Sequence, residues 1–395
     1  LNWFKNSSEN KQENFAPKAL GFESLLRDGG VSAVTPSTAI NNTTVLRCVT
    51  LISGTIAMLP LNMMMSGDQK AQAQAHPVYR LLKKRPNSYQ TAHTFKRQMM
   101  FRLLTKGNAY ARIVRTGNRP IALIPMDPDA VTPKLSPAMQ LTYEFAGPSG
   151  KVILQARDVI HLADISDDGL IGNSRIKMAE KAISLSQSAA DAADRVFKNG
   201  VMVGGTLTHP AKLSKEASSN LRDSFEQRHS GIANAHKWLV LEEGMKAEKW
   251  ANTSEESQNI ENRNHQIEEL ARVYGVPRPL LMMDETAWGS GIEQLGIFFV
   301  QYGLQHYFDL WEQELEVKLL EDAEIDRYYF KFNERALLRG TLKDQADYFA
   351  KALGSGGHGP WTTQDEVRDL LDMPPSGSPD ADTLRNQGQQ TAVMQ

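Results

Sequence analysis

Few side chains in this sequence stand where they could do covalent chemistry. His161 lies between Asp158 and Asp164, a grouping that would suit a general base oriented by a carboxylate. The run Val159–Leu162 reads as a strand, however, and a strand sends alternate side chains to opposite faces. A structural histidine is the better reading. Asp167 and Asp168 beside Gly169 offer two carboxylates to a cation, but Asp-Asp-Gly suits a turn better. No G-x-x-x-x-G-K-[ST] occurs to cradle a triphosphate, so the chain is not expected to be a P-loop motor. Neither H-E-x-x-H nor G-x-S-x-G is present, which removes the common zinc-hydrolase and serine-hydrolase readings. The single cysteine, Cys48, excludes an internal disulfide and any Cys-rich metal centre. No catalytic residue, metal site or cofactor is expected, and the chain reads as a non-enzyme.

What remains is charge and shape. Net charge is −2, low for a protein that grips nucleic acid by its phosphates. The charge is unevenly spread. From Gln69 to Met126 there are twelve Lys or Arg and no acidic residue, and from Ile292 to Glu324 eight acidic residues against Lys318 alone. Opposite patches suggest complementarity within or between subunits, with two solvated faces as the alternative. The expectation is that Lys70–Arg119 and Asp309–Glu324 face each other, partly across subunits.

These features need elements to carry them. At 395 residues the chain exceeds one ordinary core and suggests two or three packing units. Its 41% hydrophobic and 23% charged content is that of a globular protein. No run reaches eighteen apolar residues, so no membrane contact is expected, and no signal-peptide pattern opens the sequence. Synthesis in a reducing cytoplasm follows as an expectation. The polar residues 1–40 read as a flexible arm. Helical spacing runs from Val45 to Leu59 and stops at Pro60, and residues 76–106 read as helices separated at Arg85-Pro86-Asn87. Strands are expected at Ala109–Arg115, Ile121–Pro125, Leu141–Phe145, Val152–Leu154 and Val159–Leu162. This part is mixed α+β.

After Gly169 the pattern turns helical. Ile176, Ala179, Ile183, Ala190, Ala193 and Phe197 form a seam with small residues in its middle, suited to a close neighbouring helix. Packing within its own domain is the alternative. A β-α-β-like unit follows, with Gly205–Thr208, Ser214–His229 and Trp238–Leu241 as its elements. A helix over 255–274 then ends at Gly275 and Pro277. The stretch 277–291 holds Met282, Met283, Asp284, Glu285, Thr286, Trp288 and Ser290 between prolines and glycines. It is too long and too apolar for an ordinary connector. A helix of about thirty residues follows from Ile292, then a strand at Tyr328–Phe332 and helices at Lys343–Leu353 and Thr363–Leu371. The tail from Pro374 reads as disordered.

Several segments in order resemble the portal proteins of HK97-like bacteriophages. They are Val45-Leu46-Arg47-Cys48-Val49 with Leu59-Pro60-Leu61, Arg85-Pro86-Asn87 with Thr91, and Gly107-Asn108-Ala109-Tyr110. Further matches are Asp158-Val159-Ile160-His161-Leu162, the stretch Gly169–Ser174, and Ile267–Pro277 followed by Ile292-Glu293-Gln294. One departure is the lack of a Ser-Pro pair near Ser174, where Asn173 or Ser174 can cap the helix instead. The resemblance implies an α+β portal fold. Its parts would be a wing (41–175 and 292–338), stem helices (176–199 and 252–276), a clip (200–251), a tunnel loop (277–291) and a helical crown (339–373). It implies a homo-oligomeric ring of twelve subunits at one capsid vertex of the virion. Double-stranded DNA would pass through during packaging and ejection, and terminase, a head–tail adaptor and the major capsid protein would be partners. Met282, Met283, Asp284, Glu285, Thr286 and Ser290 would then face the DNA channel, and the seam from Ile176 to Phe197 would pack stem against stem. The competing readings are a DNA-cutting enzyme, which would need clustered carboxylates or histidines, and another head–tail structural protein.

Overall fold

The computed structural model describes residues 34–67, 71–147, 150–199, 205–208, 246–249, 253–283, 290–334, 342–355, 357, 359–370 and 373–384. The chain divides into two compact units, one of Leu1–Val45 with Ile176–Leu270, the other of Leu46–Arg175 with Ala271–Gln395. Among the described residues no helix is long and apolar enough to cross a membrane.

The second unit is α+β. Helix α1 (Pro36–Ala39) belongs to the first unit, and α2 (Thr43–Met58) runs from one unit into the other. Then come β1 (Leu61–Met65), α3 (Pro77–Lys83), α4 (Ala92–Lys106), β2 (Asn108–Thr116) and β3 (Arg119–Met126). Strands β4 (Val131–Leu135), β5 (Leu141–Gly147), β6 (Gly150–Gln155) and β7 (Val159–Ala163) complete this stretch. Helix α4 has the boundaries its sequence dictates. The Thr91 hydroxyl accepts from the Thr94 amide at its start, and Gly107, at φ 80°, closes its end. Two of the strands, β1 and β4, are additions to the sequence reading.

The strands form small antiparallel sheets: β3-β2-β7, β4-β5-β6 and a pair of β1 with a later strand, β10 (Tyr328–Phe332). Met63 of β1 sits opposite Phe330, so the sheet is closed by residues far apart in sequence. Behind them runs one long helical stretch. It comprises α8 (Ser290–Phe298), a π-helical segment (Phe299–Leu304) and α9 (Gln305–Leu319). Trp311, Phe308, Leu315 and Tyr307 bury the inner face of α9.

The acidic residues of α9 do not form a surface stripe. Glu312 Oε1 accepts from the Phe332 amide at 2.8 Å, and Glu316 Oε1 from the Phe330 amide at 3.3 Å. Glu314 Oε1 accepts from the His161 amide at 2.8 Å. Two glutamates thus close the outer edge of β10 and the third closes the edge of β7. A buried edge amide without a partner would cost about 1–3 kcal/mol. Burial pushes the carboxyls of Glu312 and Glu314 up from the ordinary range. The facing of the basic and acidic stretches is correspondingly small. His76 Nε2 meets Glu324 at 3.1 Å and Arg115 donates to the Lys318 carbonyl. Lys106 instead holds Asp127 and Asp129, and Lys96 is buried, donating to the Leu59 carbonyl. The acidic run of α9 is largely internal structure, because Glu312, Glu314 and Glu316 are occupied by strand amides.

The first unit contains α5 (Arg175–Met178) beyond its first residue and α6 (Glu180–Asn199), interrupted at Ala179. It also contains β8 (Gly205–Thr208) paired with β9 (Lys246–Lys249), and most of α7 (Thr253–Tyr274). The strand beside β8 is therefore β9, while Ser214–His229 and Trp238–Leu241 lie outside the described residues. Residues 34–40 are not a free arm. Thr35 and Thr38 build a reciprocal cap on α1, Gln187 donates to the Thr38 carbonyl, and Asn42 donates to Ser186. At the other end α10 (Leu342–Ala352) and α11 (Gln364–Leu370) occupy the expected places. Part of the tail expected to be disordered is in fact placed. Ala381 is buried, and its carbonyl accepts from the Asp365 amide.

His161 has the structural role. Its Nε2–H donates to Asn108 Oδ1 at 3.0 Å, the Tyr143 hydroxyl lies 3.2 Å from Nδ1, and its ring stacks on Tyr110. Burial, with Lys318 nearby, pushes its pKa down to about 4. The unfolded chain takes up this proton near the ordinary value of about 6.5, whereas the folded chain resists until about 4. Stability from His161 is therefore complete above about pH 6.5 and is lost as pH falls towards 4. Glu312 and Glu314, with raised values, act in the opposite direction. The expected outcome is that His161→Gln flattens the acid side of the melting-temperature profile between about pH 6.5 and 4, by an amount on the order of 2–3 kcal/mol. A profile identical to the parent's would refute the assignment.

Candidate functional site

The stretch 277–291 begins where α7 ends. Gly275, at φ 67°, turns the chain out of the helix, and the Val276 amide reaches back to the Ala271 carbonyl. Pro277 then caps a short 3-10 turn over Arg278–Leu281. Arg47 Nε donates to the Leu280 carbonyl at 3.1 Å and ties this foot to α2. Met282 adopts φ 62° and is 83% exposed, while Met283 is half-buried. An exposed methionine in the left-handed region is a strained choice for a residue with a Cβ. Asp284, Glu285, Thr286 and Trp288 lie outside the described residues. Ser290 opens α8. Of the expected channel residues the structure thus places Met282 and Met283 on one foot of the loop and Ser290 on the other.

The seam residues separate into two groups. Ile176, Ala179 and Ile183 are buried within this single chain. Ala190 is exposed, and the side chains of Ala193 and Phe197 lie outside the described set. The large apolar side chains left open here are Met178, 61% exposed, and Leu185, 57% exposed. Sequence reasoning missed them because the Ile-Ala-Ile seam is the stronger apolar pattern. Their one-heptad separation was the available signal.

The chain passes from one unit to the other after Arg175 and again before Ala271, and the second unit clamps both places. Arg175 makes a bidentate pair with Asp164, at 2.6 and 2.8 Å, and donates to the Val273 carbonyl at 2.8 Å. Its guanidinium lies over the Tyr307 ring. Burial disfavours the cation, but the Asp164 hydrogen bonds more than offset this and raise its pKa. Nearby, Asn108 donates to the Gly172 carbonyl at 2.7 Å and accepts from the Gly172 amide at 2.8 Å. Gly172 is required there, since a Cβ would sit 2.1 Å from the Gly107 carbonyl oxygen. Asp167 and Asp168 make a turn: Asp168 Oδ1 accepts from the Leu170 and Ile171 amides, and Asp167 accepts from Asn173. Hydrogen bonds to these amides lower the Asp168 pKa to about 2.

Arg175→Met should strand Asp164 without its cation and destabilise the chain by about 3–5 kcal/mol. Adding Asp164→Leu should recover most of that loss. Denaturant unfolding of the two variants checks this, and equal stability of single and double variants would sink it.

Comparison with known proteins places these features in a family. The model of the phage portal protein family matches residues 43–372. The portal protein of Enterobacteria phage HK97 is 31% identical over 372 residues, covering 92% of this chain and 86% of that protein. Among solved structures, a chain from the neck of a native gene transfer agent particle, computed with C12 symmetry, superposes with a TM-score of 0.58. It is 20% identical, with 86% of this chain and 92% of that one covered. An HK97-family phage portal protein from Corynebacterium diphtheriae gives a TM-score of 0.55 at 20% identity, covering 78% of this chain and 97% of that one. The fold is shared with those structures, and the chain belongs to the phage portal protein family.

Proposed function

We propose that the chain is one subunit of a closed ring, of twelve copies, through which double-stranded DNA enters and leaves a capsid at one vertex. The observation that carries this is the family match spanning residues 43–372. The C12 symmetry of the similar gene transfer agent neck supports the copy number. In this reading residues 41–175 and 292–338 are the wing, 176–199 and 252–276 the stem, 200–251 the clip, 277–291 the tunnel loop and 339–373 the crown. The clip is where terminase and later a head–tail adaptor dock, the wing lies against the major capsid protein, and the protein acts in the virion without catalysing a reaction. Stem helices of adjacent copies meet through Met178, Leu185 and Ala190 rather than through Ile176 and Ile183, which are already buried. Such contacts are heterologous and close into a ring.

A conduit for DNA must bind it weakly. Each phosphate neutralised by Lys or Arg adds counterion-release affinity, and the loop from Met282 to Thr286 offers methionines, carboxylates and a hydroxyl instead. Carboxylates repel phosphate and methionine slides.

Electron microscopy of the purified chain should show rings with a central channel. Met178→Glu with Leu185→Glu should abolish the rings while leaving the far-ultraviolet circular dichroism of the chain unchanged. Monomers of the parent chain at every concentration and salt would refute the ring. Asp284→Lys with Glu285→Lys should leave rings intact but slow DNA packaging and make it salt-sensitive. Packaging at the parent's rate would remove the loop from the DNA path.

A further inference from the structure

The basic stretch from Gln69 to Met126 is only partly explained by internal structure. Lys96, Lys106 and Arg115 have partners inside the chain. Arg80, Lys84 and Arg85 differ: Arg85 donates only to the Ser88 carbonyl of its own loop. All three are exposed, and no carboxylate among the described residues pairs with them. Together with Ser88–Thr91 they line an open groove of about 470 Å³ at the end of α3.

The groove has an unusual lining: every side chain on it is a hydrogen-bond donor, and none is a carboxylate or a hydrocarbon. Its floor is rigid. Asn87 Oδ1 accepts from the Tyr89 and Gln90 amides, and Asn87 Nδ2 donates to the Leu123 carbonyl. The Leu123 amide in turn donates to the Pro86 carbonyl, so the loop is stitched to β3 from both sides. Arg85 Nη2 donates to the Ser88 carbonyl at 2.6 Å and spans the groove wall. The loop backbone and the Arg85 guanidinium are therefore held in place before any ligand arrives, which lowers the ordering cost of binding.

We infer that this groove is a phosphate-backbone contact for duplex DNA, separate from the loop 277–291. The inference rests on the reading of the chain as a DNA-conducting portal, which brings a polyanion to the protein. Two features favour nucleic acid over an acidic protein partner. Specific protein interfaces are centred on several aliphatic and aromatic side chains, whereas Tyr89 is the single such side chain on this groove. Arg, Lys, Ser, Thr, Gln and Tyr side chains are those that hold sugar-phosphate backbones without reading sequence. With three cations and a chain that is near-neutral overall, the contact is weak, sequence-independent and sensitive to salt. It positions DNA without gripping it.

The test is a salt titration of the full-length chain against a fluorescently labelled short DNA duplex, read by anisotropy. Arg80→Ser with Lys84→Ser and Arg85→Ser should weaken low-salt binding by at least about tenfold and reduce the salt slope by about 2–3. Arg80→Lys with Arg85→Lys should keep the slope, since it keeps the charge. Lys134→Ser with Lys151→Ser is the control, because both lysines are already held by Glu144; it should change little. Thermal melts of each variant show whether the fold survives, and Lys84→Glu alone is the fallback should Arg85 prove necessary to the loop. An unchanged slope in the well-folded triple variant overturns the groove. So does a poly-glutamate peptide that outcompetes the duplex at equal charge, which would point to an acidic protein instead. Rings that hold DNA on their axis while the slope stays unchanged sink the groove alone. A chain that never forms rings but loses slope in the triple variant sinks the ring and keeps the groove.

Discussion

A strand edge that is buried must be closed, and in this protein one helix closes two of them. Helix α9 lies against β10 and β7, whose outward amides would otherwise face the interior without acceptors. Glutamate suits this task because it reaches further than aspartate and presents two oxygens. Glu312 and Glu316 serve one sheet and Glu314 the other. The cost is visible in the raised pKa of Glu312 and Glu314, whose charges are held at partly buried positions. Remove the helix and both sheets lose an edge as well as the apolar cover of Trp311 and Phe308. The two-stranded β1–β10 sheet could not stand alone, since an isolated pair is marginal in water.

From this frame the rest of the second unit is braced by polar contacts between segments distant in sequence. Asn108 joins the start of β2 to Gly172, and Arg175 joins Asp164 to the last turn of α7. These contacts set where α5 begins and where α7 ends, next to two of the three places at which the chain changes unit. The foot of the loop beyond α7 inherits the same bracing through Arg47 and Leu280. Cys48 is enclosed in the same helix as Arg47, with burial pushing its thiol up to about 12, so it is chemically inert.

Most helices and the hairpin strands were legible because their boundaries are local. Thr91 and Gly107 mark the ends of α4, and Gly275 with Pro277 marks the end of α7. What escaped was decided by distant partners. Leu61–Met65 looks like a continuation of the apolar helix before Pro60, and only pairing with Tyr328–Phe332 makes it a strand. Val131–Leu135 carries Pro133, tolerable because β4 is an edge strand. Lys246–Lys249 has no apolar alternation at all. The acidic run of α9 misled in another way: its charges suggested a face for another surface, whereas the donors they meet are backbone amides invisible to composition. For the candidate site, the order of motifs drew attention to residues 277–291 and to the helix from Ile176, but which side chains of that helix are exposed depended on packing that buries Ile176 and Ile183.

The widened segment Phe299–Leu304 sits midway between the loop and the two braced sheet edges. It is held from behind by the close approach of Gly303 to the Gly275 carbonyl, where a Cβ would come within 3.1 Å. A π-helical turn accommodates an extra residue within an α-helix, and each residue of an α-helix turns the chain by about 100°. The segment therefore acts as a phase offset between two halves of one rod. Downstream, α9 is fixed by its glutamates, so the offset falls on α8 upstream. Related chains that gained or lost a residue here would present a different face of α8 at the loop while leaving the sheets undisturbed. The geometry of the loop can in this way be retuned without reopening the core.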